Sequence, residues 1–200
     1  MPSPFERYED GDVADLIRDY PLAWVAARSA DAAPASLLPL IAERDAAGRV
    51  TTLVGHMARH NPLHGALAVD GRALILFQGP QGYISPTFVS EPTWAPTWNY
   101  AQIRVEADLH FEPDGGDAAL EALVEAMEEG RPNRWHISDM GPRYRKMEPM
   151  IIAFRARVVS LQARFKLGQD ERPEILREIL ANISDPTLAS WMRRFNPGRC

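Results

Sequence analysis

The chain has 200 residues, 46% hydrophobic and 24% charged, and its 22 basic and 27 acidic side chains leave a net charge of −5. That composition excludes an intrinsically disordered chain, and the length is ample for a real core. Cys200 is the only cysteine, which leaves no internal disulfide framework and no cysteine zinc site, and argues against a thiol nucleophile.

Asp12 to Ile17 reads as a short amphipathic helix, stopped before Pro21. Leu22 to Arg28 is apolar and suits a buried strand. Ser36 to Ala42 and Arg49 to Gly55 are strand-like, with turn chemistry at Asp45 to Gly48 between them. Asp70-Gly71 signals a turn before Ala73 to Phe77, a short run of buried-strand type. From Tyr100 to Phe111 the alternation is clear: Ile103, Val105, Ala107, Leu109 and Phe111 share one face, and polar residues share the other. Asp117 to Glu129 changes period, with Leu120, Leu123, Val124 and Met127 at helical spacing, and Gly130 ends it. Ile152, Phe154, Ala156 and Val158 alternate again. Val159, Leu161, Ala163 and Phe165 continue on the shifted parity, the mark of a β-bulge near Val158-Val159. Two helices close the chain, Pro173 to Ile183 and Pro186 to Phe195, the second capped by Ser184 or Asp185.

Strands with few intervening helices predict a mainly β, α+β arrangement built on a closed or partly closed β-barrel. The expected layout is a barrel domain over residues 1–170, with the helices of 171–200 packed on the same domain. No apolar run approaches the roughly 18 residues that span a bilayer, and the start of the chain lacks the pattern of a signal peptide, so a cytoplasmic protein with no membrane partner is expected.

Charge is unevenly spread. Residues 1–130 carry eight basic and twenty acidic side chains, whereas 131–166 carry nine basic ones against only Asp139 and Glu148. A basic segment on an acidic protein fits a phosphate-bearing ligand, a nucleic acid or an acidic face of a second subunit, and equally a solvated face. The overall balance is not that of a dedicated nucleic-acid binder.

Chemistry concentrates in three polar-aromatic blocks at predicted strand ends: Gly55 to Pro62 (GHMARHNP), Phe77 to Pro86 (FQGPQGYISP) and Pro96 to Tyr100 (PTWNY). Gathered at one barrel rim, they offer stacking aromatics, amide donors and an arginine, groups that suit a planar heterocycle carrying a phosphate. His56, His60 and His64 are spaced i, i+4, i+8, but Pro62 argues against one helix through all three and the block holds no carboxylate or cysteine, so no metal site is expected.

These blocks resemble the PaiB family, described as FMN-binding negative transcriptional regulators with the flavin-type split barrel, in the pyridoxamine-phosphate-oxidase-like superfamily. The family pattern runs approximately as G-H-x-A-R-x-N-P, F-x-G-P-x-x-Y-I-S-P, P-T-W-N-Y and a C-terminal K-x-S-Q, here Lys166-Leu167-Gly168-Gln169, and the resemblance covers about residues 4–190. Two departures stand out. Ser36-Leu37 occupies the place where the family often has Thr-His before Leu-Pro, and Gly168 stands where the last motif usually has serine.

The resemblance implies FMN as cofactor, with its phosphate held where a strand leads into a short helix. Val54 to Leu67 has that layout, with Asn61 as N-cap and Pro62 at the first helical position. Arg59 is the expected phosphate clamp, since a guanidinium engages phosphate bidentately, with His56 and Asn61 as secondary donors; the competing role for Arg59 is a rim salt bridge. Ser36 and Leu38 would line the barrel beside the isoalloxazine. Tyr83 and Ser85 of the second block, and Trp98 and Asn99 of the third, are further cofactor-binding candidates, the aromatics serving equally well in a subunit interface. Gly79-Pro80 and Gly82 are expected to shape a turn. Related split barrels place the flavin at a homodimer interface, which makes Lys166 and Gln169 candidates to reach the partner subunit's FMN.

Function is left between two main readings, with no catalytic residue assigned. One is an FMN-binding transcriptional regulator, with DNA as a further partner. The other is a small FMN-dependent oxidoreductase, an NAD(P)H-linked reductase or an oxidase, in which the cofactor performs the electron chemistry and no Ser-His-Asp or carboxylate pair is needed. A barrel that binds haem or another planar ligand in place of FMN is a third.

Overall fold

The computed structural model describes residues 3–28 and 34–199. Its strands are β1 (Leu22–Ala27), β2 (Ala35–Arg44), β3 (Val50–Ala58), β4 (Arg72–Ile84), β5 (Thr97–Glu112) and β6 (Ile151–Lys166), which close into a barrel in the order β1-β2-β3-β6-β5-β4. The helices are α1 (Asp10–Asp19), α2 (Pro62–Val69), α3 (Gly116–Glu128), the single turn α4 (Tyr144–Met147), α5 (Pro173–Asn182) and α6 (Pro186–Arg194). The pairings of β1 with β2 and β4, of β2 with β3 and of β3 with β6 are antiparallel. The chain forms two compact units, one of residues 10–77 and 104–162 and the other of residues 1–9, 78–103 and 163–200.

In the first, the barrel unit, period-two alternation sets the interior. Ala23, Val25 and Ala27 of β1, Leu53 and Met57 of β3, and Val105, Ala107 and Leu109 of β5 are buried, and Phe77, Phe154 and Leu40 are fully so. Gly55 marks a tight point of the wall. A Cβ there would lie 2.6 Å from Leu40 Cδ2 and 2.8 Å from Phe154 Cζ, so this motif glycine serves packing. Val13, Leu16 and Ile17 bury one side of α1, with Asp10 and Asp12 in its first turn and Arg18 in its last, as the helix dipole favours. On β3, Val54 clusters with Ala153 of β6 and Ala119 of α3.

The second unit holds the far ends of β4, β5 and β6 together with α5 and α6. Phe165 stacks on Phe195 at 4.5 Å and on Trp191 at 6.0 Å between ring centroids, near parallel in both cases. The segment before β5 is tied to α5 by Glu178, which accepts from Ser90 N at 2.6 Å and from Ser90 Oγ at 2.7 Å. Asp185 caps α6, accepting from Thr187 N and Leu188 N.

The predicted elements are all present; β2 to β6 are longer than expected, and β1 ends one residue earlier, at Ala27. The buried positions of β6 are Ile152, Ala153, Phe154 and Ala156 at one end and Ala163 and Phe165 at the other; the parity expected of Phe154, Ala156, Ala163 and Phe165 is found, but Val159, expected inward, is 56% exposed. Two further local expectations are corrected. β1 is buried on one face only, because Leu22 and Trp24 point outward and are 50% and 53% exposed. Gly79, Pro80 and Gly82 lie inside β4, with no turn there. Gly79 and Pro80 are buried, and a Cβ on Gly82 would meet Leu188 Cδ2 at 2.8 Å, so close approach of α6 explains Gly82.

Candidate functional site

The candidate residues divide between the two units. Ser36, Leu38, His56, Arg59 and Asn61 are in the barrel unit; Tyr83, Ser85, Trp98, Asn99, Lys166 and Gln169 are in the other.

In the barrel unit, the strand-to-helix junction forms as predicted. Asn61 is the N-cap of α2, its Oδ1 accepting from Leu63 N at 3.0 Å, and Pro62 follows at the first helical position. Ser36 Oγ lies 3.0 Å from Asn61 Oδ1 and 2.9 Å from Nδ2, which joins the start of β2 to the cap. Leu38 is buried, two register pairs further along β2, opposite Ala23. Arg59 is exposed and held: Nε donates to Pro149 O at 3.0 Å, Nη2 donates to Pro113 O at 3.3 Å, and its backbone N–H donates to Met150 O. No carboxylate pairs with it among the described residues, so the guanidinium stands fixed with Nη1 uncommitted. A rim salt bridge is therefore not what occupies it.

His56 sits on β3 opposite Ala153 of β6. Its Nδ1 is buried without a hydrogen-bond partner, the single such side-chain atom among the described residues. Burial pushes the imidazole below its ordinary value, so the ring is held neutral. An orphaned ring nitrogen is costly unless something meets it. The three spaced histidines occupy three different settings. His56 is in a strand, His60 is exposed in the turn, and His64 is in α2 with Nδ1 2.9 Å from Arg59 O and its ring edge-on to Phe111.

In the second unit, Tyr83 and Trp98 form an exposed aromatic pair, ring centroids 5.9 Å apart. Asn99, the next residue along β5, faces the opposite way. It is buried, with Nδ2 3.6 Å from Met192 Sδ, so it does not share the Trp98 face. Ser85 caps the short turn Pro86–Phe88, accepting from Thr87 N. Lys166 donates to Thr97 Oγ1. Gln169 is spent within its own loop, Oε1 accepting from Leu167 N at 2.7 Å and Nε2 donating to Phe165 O at 2.6 Å. Gly168 adopts φ 89°, a left-handed conformation, and a Cβ there would lie 3.0 Å from Leu176 Cδ1. The glycine that replaces the motif serine is the residue this backbone favours.

Two features were not singled out in the sequence. Thr97, the partner of Lys166, belongs to the third block, between Pro96 and Trp98. The outward row Leu37–Trp24–Leu76, paired directly across β2, β1 and β4, is 42–53% exposed. Its sequence signal is the presence of large apolar residues on both parities of β1.

Solved structures with the same architecture define the class. The FAD and heme binding protein from Mycobacterium smegmatis superposes with a TM-score of 0.59 at 18% identity, covering 88% of this chain and 80% of that one. The flavocytochrome Anf3 from Azotobacter vinelandii gives 0.56 at 13% identity, over 80% and 68%. The fold is that of the flavin split barrels. Residues 1–160 match the family described as "Putative FMN-binding domain", and the chain belongs to this family, of which FMN is the defining ligand. The protein named Protease synthase and sporulation protein PAI 2, from Bacillus subtilis (strain 168), is 30% identical over 135 residues, 66% of this chain. The matched stretch is 65% of that relative's length. PaiB-type membership, as the motifs imply, follows. Among the described residues, no helix is long and apolar enough to cross a membrane.

Proposed function

We propose that the protein is a cytoplasmic, homodimeric FMN-binding regulator of PaiB type, with the phosphate of FMN received at the junction of β3 and α2. The observation that carries this reading is the orphaned, buried His56 Nδ1 near the end of β3, in a segment that continues into the fixed Arg59 guanidinium just beyond the strand. The donor set fits the group. Arg59 supplies charge-assisted hydrogen bonds through Nη1, and its attachment to two backbone carbonyls keeps the ordering cost low. His56 supplies a ring nitrogen that gains a partner. Asn61 orients α2 and is itself positioned by Ser36. When bound, FMN supplies one- and two-electron transfer chemistry; the chain's residues bind and orient it.

The homodimer is supported by the outward face of β1, where Trp24 is flanked by Leu37 and Leu76 in register and Leu22 lies two residues away. An exposed apolar row across three paired strands is what a subunit interface covers. Lys166, with one contact to Thr97, is the remaining candidate for the flavin of a second protomer. Arg143, Arg145 and Lys146, exposed on the basic segment, are the groups that would meet DNA.

The test is the visible spectrum of the purified protein, followed by FMN titration of the apoprotein. Saturable binding, weakened about a hundredfold in Arg59→Ala, is expected for loss of the charge-assisted phosphate contact through Nη1. Binding unchanged in Arg59→Ala would remove the junction as the phosphate site. A salt-sensitive shift of a promoter fragment supports the regulator; turnover of NAD(P)H by the FMN-loaded protein without DNA binding would favour the oxidoreductase instead.

A further inference from the structure

We propose that the barrel unit carries a second small-molecule site, for an apolar monocarboxylate of about the size of benzoate, held through Arg44. A cavity of about 170 Å3 lies among α1, β2 and α3, walled by Ala14, Ile17, Ile41, Ala126 and Met127 and rimmed by Asp15, Arg18 and Arg44. The volume equals roughly six waters at liquid density; waters against the side chains of Ile17, Ile41 and Met127 have few partners, and an apolar body displaces those at a gain, while the charged rim of Asp15, Arg18 and Arg44 stays hydrated. Met127 is 37% exposed, and its flexible thioether lets that wall adapt to shape.

Charge decides the head group. Arg18 is neutralised, donating to Asp15 at 2.5 Å and to Asp19 at 2.9 Å. Asp15 is thereby engaged as well. Glu43, the carboxylate next to Arg44 in sequence, pairs with Arg155. Arg44 therefore has no carboxylate partner among the described residues. Its placement is also irregular: β2 and β3 slip register between Glu43, opposite Thr52, and Arg44, opposite Val50, so Thr51 is the extra residue. Slips of this kind re-aim side chains next to sites.

The same electrostatics limits the ligand to one carboxylate. At the α3 wall, the last-turn carbonyls of Met127 and Glu125 accept from Arg131 Nε and Arg134 Nη2, which also lie 3.7 Å from Glu128 and 3.9 Å from Glu125, so these two guanidinium groups are committed as well. A single anionic group gains a charge-assisted pair with the Arg44 guanidinium, whereas a second would find no uncommitted cation on the rim, Arg18 being paired with Asp15 and Asp19.

Titration of the full-length protein with sodium benzoate at constant ionic strength, followed by 1H–15N NMR, tests the site. Saturable shifts at the amides of Ala14, Ile17 and Met127 are expected at millimolar ligand, with binding about tenfold weaker in Arg44→Gln and partly restored in Arg44→Lys. Ala126→Phe, which fills the cavity, is expected to abolish the shifts while Arg44 stays in place. Benzamide, the neutral isostere, is expected not to bind. No saturable shift up to roughly 20 mM, an equal response to benzamide, or unchanged binding in either Arg44→Gln or Ala126→Phe would each overturn the proposal. None of these readouts depends on FMN.

Discussion

Ser36 Oγ lies 3.0 Å from Asn61 Oδ1, the same oxygen that accepts the Leu63 N–H and so starts α2. One asparagine thus serves both as helix cap and as the tie between the first residues of β2 and the strand-to-helix junction. Ser36→Ala removes only the tie, and about 1 kcal/mol of stability is expected to go with it. Asn61→Ala removes tie and cap together and is expected to cost about 2 kcal/mol. Urea unfolding of the two single variants and the double variant checks this. Once Asn61 is alanine, changing Ser36 as well should cost little more, because the tie is already gone.

His56 makes stability pH-dependent. Burial lowers its folded-state value below the ordinary 6.5, so as the pH falls below 6.5 the unfolded chain takes up a proton before the folded one does. The contribution is present above pH 6.5 and is lost progressively towards the lower folded value. Urea midpoints measured from pH 7 down to pH 5 are expected to fall in the native protein and to fall less in His56→Gln. Equal slopes in the two proteins would mean that His56 does not carry the dependence. Bound phosphate, by giving Nδ1 a charged partner, is expected to raise the pH at which the ring protonates, an effect visible in the imidazole proton shifts.

Gly168 offers a direct comparison with the family motif. Serine there would have to take up φ 89° and bring its Cβ to 3.0 Å from Leu176 Cδ1 and 3.4 Å from Met192 Cε. Gly168→Ser, which restores the motif, is expected to destabilise this chain by about 1–2 kcal/mol. A thermal melt reads the loss. Unchanged melting would mean that the Lys166–Gln169 loop has a second conformation open to serine.

The outward face of β1 predicts oligomeric state. Trp24→Glu places a charge at the centre of the Leu37–Trp24–Leu76 row, while the residue stays on the solvent side of a strand whose buried side chains are untouched. Conversion of a dimer to a folded monomer is expected in sedimentation velocity, with the circular dichroism of the native barrel retained. A native protein that sediments as a monomer at all concentrations would remove the dimer.

The amino-acid sequence by itself determined what depends on neighbours along the chain. The alternation in β5, the helical spacing in α3, the cap and proline at Asn61-Pro62 and the change of parity along β6 are all local patterns, and the order of the motif blocks placed the chain in its family. What a strand or loop meets across space was decided only by the tertiary structure. Trp24 and Val25 are both apolar and adjacent, yet one is half exposed and the other buried, because alternation separates their faces. Trp98 and Asn99 read as one ligand-binding pair but point to opposite sides of β5 for the same reason. Gln169 looks like a free amide and is consumed by its own loop, whereas His56 looks like any motif histidine and has a ring nitrogen left without a partner. Periodicity and capping act over a few residues, but burial and hydrogen-bond satisfaction depend on which distant segment arrives opposite, and that is settled only when the barrel closes.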